Sequence, residues 1–175
     1  MEDDTFWHTL EIPPSVKLSH LLARVSEPEH DIVDLSTSDP AHKPSPFIVE
    51  EFKKYAGSLG QSSGTGGMKK LRGTISEWLR WRYDLPSTGL NENNVICTNG
   101  ESEAVFSIIR VLAADAKEGL IVVPNPADPI YETAGILAGL TPKHVTTMGA
   151  QQPNYKDFPS ELWEKVKIVV VNTPA

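Results

Sequence analysis

From residue 92 onward, short runs of β-branched residues alternate with stretches whose apolar residues recur at helical spacing. That alternation constrains the fold more than any other feature of the chain. The runs are Val95-Ile96-Cys97-Thr98, Gly119 to Val123, Lys143 to Thr147 and Lys167 to Val171. After the first, Val105, Ile108, Ile109 and Leu112 fall at i, i+3, i+4 and i+7, which predicts a helix from Glu101 to Ala114. A further helix is expected from about Pro129 to Leu140, and a helical turn from Ser160 to Val166. Runs of continuous β-branched residues separated by helices imply a sheet covered on both faces. The class is α/β with βαβ crossovers.

The first part of the chain is less regular. Residues 1–30 read as an arm with one helix from Val16 to Val25, for which Ser15 is the candidate cap. Ile32 to Leu35 is a short extended piece, and Ser36 to Pro40 has turn chemistry. A helix is expected from Pro46 to Tyr55, then a glycine-rich loop over 57–67. That loop has neither a Gly-Lys-Ser/Thr ending nor a preceding strand, which argues against a nucleotide P-loop. Leu71, Ile75, Trp78 and Leu79 mark the apolar face of the next helix, which Pro86 stops; Trp78 and Trp81 read as core or interface packing.

Composition excludes several function classes. A net charge of −7 argues against nucleic acid or an anionic membrane as a partner. Single Cys97 leaves no internal disulfide, and its apolar neighbours place it as a small buried residue. The acidic start Met1-Glu2-Asp3-Asp4 lacks the basic flank of a signal peptide, and no apolar run reaches bilayer length, so a cytoplasmic setting is expected. His8, His20, His30, His42 and His144 show no metal-ligand spacing.

In open α/β sheets ligands bind beyond the carboxyl ends of the strands. Three such ends can be named: Thr98 to Ser102, Pro124 to Asp128, and Asn172 to Ala175. The first opens a helix, whose free N–H groups and positive dipole end suit an anion.

These segments, with Ile32 to Pro40, Gly66-Gly67-Met68-Lys69-Lys70-Leu71-Arg72 and Tyr131-Glu132, carry a resemblance. The chain resembles the class I/II, fold-type-I pyridoxal-phosphate aminotransferases from about residue 31 onward. Among them it is most similar to the N-succinyldiaminopimelate aminotransferases of bacterial lysine biosynthesis. The resemblance implies a partial three-layer α/β/α large domain preceded by an arm and small-domain segment, divided as residues 1–60 and 61–175. It implies pyridoxal 5'-phosphate as cofactor, with Gly100, Glu101, Ser102 and Tyr131 at cofactor-binding positions and Ser38 at the substrate carboxylate. It also implies self-association, or association with a full-length relative.

Several of those positions depart from the family pattern. Where relatives hold the cofactor phosphate with a small hydroxyl residue and then Arg or Gln, this chain has Glu101 and Ser102. A carboxylate a few Å from a phosphate dianion costs roughly several kcal/mol at an effective dielectric of about 20. In the first turn of a helix, Glu101 and Glu103 instead favour the dipole. Where the family places a ring-stacking aromatic after Asn125-Pro126, this chain has Ala127-Asp128-Pro129, with Tyr131 the nearest aromatic; the interface tyrosine of the glycine loop aligns near Ser62, and the glycine admitting substrate aligns near Ser38. The family's Schiff-base lysine and substrate arginine match no residue up to Ala175, and no catalytic residue is expected among those present.

Three functional readings follow. The first is an aminotransferase-like protein that does not catalyse transamination as the 175-residue chain. The second is part of an active aminotransferase acting on an N-succinylated diamino acid and a 2-oxo acid. The third is an interaction module that docks on a full-length relative.

Overall fold

The computed structural model describes residues 10, 12–26, 29–33, 35, 40, 42–86, 88–116, 118–147 and 153–172. The chain divides into two compact units, residues 26–98 and residues 1–25 together with 99–175.

The second of these is α/β. Its helices are α1 (Pro14–Leu22), α4 (Glu101–Leu112) and α5 (Pro129–Leu137); its strands are β1 (Gly119–Asn125), β2 (Leu140–Thr146) and β3 (Val166–Val169). The three strands form a parallel sheet in the order β2-β1-β3. Parallel pairing requires crossovers, and α5 carries the chain from β1 back to β2. Register runs from Gly119 opposite Leu140 to Asn125 opposite Thr146.

Central β1 is buried from Gly119 to Pro124, because alternate residues feed two cores. Ile121 and Val123 pack with Ile109 and Ala113 at the α4 side and with Tyr131 and Ala134 of α5. Leu120 and Val122 face the other way, against Val145 and Phe158. Full burial of a side chain such as Ile121 is worth about 1.5–3 kcal/mol. Helix α5 lies close to β1 because residue 135 is glycine: a Cβ there would sit 2.7 Å from Ile121 Cγ2. The second face is covered by a 3₁₀ segment, Ser160–Lys165, where Trp163 stacks at a tilt on Phe158 with centroids 4.8 Å apart. Tyr155 Oη donates to the Val170 carbonyl at 3.2 Å and ties this cover to the end of β3.

Residues 26–98 contain α2 (Pro46–Tyr55) and α3 (Lys69–Tyr83). Here Arg72 acts as a clamp. Its Nε donates to the Gly67 carbonyl at 3.2 Å, and its guanidinium also donates to the Glu92 carbonyl. Gly67 has φ +86, and a Cβ would meet Cys97 Cβ at 2.7 Å, so the glycine loop and the extended 95–98 segment touch backbone to side chain.

Several expectations are corrected. Val95 to Thr98 is extended but is not a strand; its Cys97 N–H bonds to the Gly66 carbonyl, which belongs to a loop and not to a ladder. Cys97 is half-buried against Gly67, not enclosed in a core. The first helix begins at Pro14, with Pro13 at its N-cap, so Ser15 lies inside it. Of the core and interface readings for Trp78 and Trp81 the core one is corrected, since both are exposed, Trp81 at 77%; the buried residue of α3 is Ser76, whose hydroxyl donates to the Gly73 carbonyl. On α4, Val105 and Ile109 turn inward, whereas Ile108 and Leu112 face outward. No helix of the described residues is long and apolar enough to cross a membrane.

Candidate functional site

Gly100 sets the geometry at the start of α4. Its φ of +105 and ψ of 170 lie where a side chain is strained, and they turn the incoming chain sharply into the helix. The first turn then carries Glu101 and Glu103. Glu103 folds back so that its Oε2 accepts the Asn99 N–H, satisfying a donor ahead of the helix. Glu101 is held differently. Its Oε1 accepts a hydrogen bond of 3.1 Å from the hydroxyl of Tyr131, thirty residues away on α5.

Tyr131 is a core residue with a polar tip: 8% exposed, packed with Ile121 and Val123, its hydroxyl reaching the α4 terminus. Burial raises the Tyr131 phenol above its ordinary pKa, and the hydrogen bond and charge of Glu101 raise it further. Tyr131 therefore stays a donor and Glu101 its acceptor. Helix α5 begins the same way: Asp128 caps it by accepting the Ile130 N–H at 2.9 Å, and Glu132 lies in its first turn. Each of these positive helix ends is thus met by the chain's own carboxylates.

Of the residues singled out by sequence, Glu101 and Tyr131 are brought together beside Gly100, and Ser102 is exposed on the same turn. Ser38 lies outside the described residues, as do Ser36, Asp39 and Thr173 to Ala175.

A second feature lies beyond the end of β1, in the segment Pro124 to Asp128 that the sequence marks as a strand end. Asn125-Pro126 is a cis peptide, and the Asn125 carbonyl accepts from both the Thr147 N–H and the Thr147 hydroxyl, each at 3.0 Å. Alongside is a cavity of about 140 Å³, walled by the arm at Ile12 and Pro14, by the β1 terminus and by α5. Glu132 and His144 pair at its edge, Oε2 to Nε2 at 3.3 Å. They are twelve residues apart on a helix and a strand, so no local spacing announces them. Among the described residues no three His, Cys, Asp or Glu side chains are grouped to hold a metal ion.

This architecture has known counterparts. The family model for aminotransferase class I and II matches residues 30–175. The chain belongs to this family. An LL-diaminopimelate aminotransferase of Aquifex aeolicus is 26% identical over 148 residues, 82% of this chain and 37% of its own length. The glutamate-pyruvate aminotransferase AlaC of Escherichia coli is 32% identical over 112 residues, 62% of this chain and 26% of its own. Among solved structures, an aminotransferase from Neisseria meningitidis superposes with a TM-score of 0.85 at 26% identity, covering 99% of this chain and 44% of that one. The chain therefore spans less than half the length of these aminotransferases, and their shared fold is the partial α/β domain described above.

Proposed function

We propose that this protein keeps the aminotransferase fold but does not bind pyridoxal phosphate productively, and so does not transaminate. The observation that carries this reading is the Tyr131–Glu101 hydrogen bond at the start of α4. The family resemblance assigns that turn to the cofactor phosphate. Here a carboxylate occupies it, oriented by a buried hydroxyl, while Glu103 takes the Asn99 N–H. An incoming dianion meets two carboxylates in one turn, and Ala127-Asp128-Pro129 offers no aromatic ring to stack on the pyridine. The residues present do not fit the group.

The test is incubation of the purified protein with pyridoxal phosphate, followed by gel filtration and an absorption spectrum. This reading expects no cofactor band in the protein fraction; a band that stays with the protein, together with amino transfer, overturns it.

A second reading is favoured by the similarity to LL-diaminopimelate aminotransferase over 82% of the chain. On it, these residues form part of a protein that moves an amino group between a diamino acid, of the succinyldiaminopimelate type, and a 2-oxo acid. Glutamate-dependent formation of the N-succinylated diamino acid in an assay of the purified protein would support it. Both readings take the protein to be cytoplasmic, with residues 1–60 as arm and small-domain segment and 61–175 as the start of the large domain. Self-association or docking on a full-length relative belongs to either reading; exposed Val111 and Leu112 on the α4 side and Val171 beyond β3 support it. Light scattering across a concentration series is the check.

A further inference from the structure

We propose that α2 (Pro46–Tyr55) is a contact between two copies of this chain, packed antiparallel across a two-fold axis near Phe52. The inference rests on the self-association reading above and gives it a surface and a geometry.

Helix α2 is amphipathic, yet no residue of it is buried. Ile48, Phe52 and Tyr55 recur at i, i+4 and i+7 with Val49 beside them, which gathers these apolar side chains on one face. That face is open: Phe52 is 62% exposed and Tyr55 58%. A helix of 10 residues draws its stability chiefly from packing its apolar face, and here that packing is left to a partner.

Charge decides which partner. Glu51 and Lys54 lie on one flank of the apolar face, paired at 3.3 Å, and Glu50 and Lys53 lie towards the other. On both flanks the acid comes one turn before the base. In an antiparallel pair each flank meets the same flank of its partner in reversed order. Glu51 then comes opposite Lys54 of the second copy, and Glu50 opposite Lys53, while Phe52 meets Phe52 at the axis. A parallel pair sets acid against acid and base against base. A partner of single charge is attracted at one end of each flank and repelled at the other, and so is an anionic membrane. The pattern complements itself.

Area sets the strength. Ile48, Val49, Phe52 and Tyr55, met by the same face of a second copy, bury on the order of 1,000 Å² in all, the lower bound for a specific interface. The dimer is therefore weak and reversible.

The test is sedimentation velocity on the 175-residue protein over a concentration series reaching about 500 µM, where weak interfaces populate. A reversible monomer–dimer equilibrium is expected. Phe52→Glu should weaken it at least tenfold and stay folded by circular dichroism, because Phe52 is exposed in the single chain. K53E/K54E and E50K/E51K should each dimerise at least tenfold more weakly alone, and an equimolar mixture of the two should recover dimer to within about threefold of wild type. Raising NaCl from about 50 to about 500 mM should weaken the wild-type dimer about threefold, since its facing charges attract. A wild-type protein that stays monomeric throughout overturns this proposal and the self-association reading together. A dimer that survives Phe52→Glu but not Val111→Glu overturns α2 alone and leaves self-association standing. A dimer strengthened by salt, or charge-reversed variants that fail to recover on mixing, overturns the antiparallel pairing.

Discussion

Tyr131 joins the core to the start of α4. Its ring fills space beside Ile121 and Val123 while its hydroxyl fixes Glu101. Replacing it with phenylalanine keeps the packing and removes one hydrogen bond. Y131F should therefore cost about 1 kcal/mol in urea unfolding. Ionisation is the second handle. The phenol is raised above 10.0 in the folded protein, by burial first and by Glu101 second. Below pH 10 both states keep the proton and the full stability is present. As pH climbs through 10 the unfolded chain ionises first, so stability falls on the alkaline side. Ultraviolet difference titration of the wild-type protein against Y131F should assign a delayed ionisation to the Tyr131 phenol. Gly100 makes a simpler prediction. With φ at +105, Gly100→Ala should destabilise the fold by about 1–3 kcal/mol, measured by thermal or urea unfolding.

At the scale of elements, α5 is held against β1 by a close approach that only glycine allows. Gly135→Ala drives a methyl into Ile121 Cγ2 and should cost about 1–3 kcal/mol in urea unfolding, with the secondary structure retained by circular dichroism. The same elements show how far the sequence could be read. Gly119 to Val123 was legible as a strand because continuous β-branched residues fit a position buried on both faces, and β1 is central. Val95 to Thr98 has similar residues but is tied down by a loop carbonyl at Gly66; composition cannot tell an extended segment from a paired one. Periodicity placed α4 but not its orientation: Val105 and Ile109 enter the core while Ile108 and Leu112 do not. The acidic first turn of α4 was legible as dipole chemistry. Its link to Tyr131 was not, because thirty residues and a strand intervene. For the same reason the Glu132–His144 pair left no trace in local spacing.

For the whole molecule, membership of the aminotransferase class I and II family and a TM-score of 0.85 to one of its structures establish a shared architecture. An architecture carries chemistry only through its sites. In this chain the helix terminus that the resemblance assigns to a phosphate is already met from within by the carboxylates of Glu101 and Glu103, the first oriented by the hydroxyl of Tyr131. Ligand linkage gives the most direct measurement: the thermal unfolding midpoint of the purified protein with and without excess pyridoxal phosphate. A ligand at 100 times its dissociation constant stabilises the native state by about 2.7 kcal/mol, which is readily seen as a rise in midpoint. An unchanged midpoint is expected for the wild-type protein. A saturable rise that is lost when pyridoxal replaces pyridoxal phosphate would show that the α4 terminus does hold the phosphate, and would contradict it.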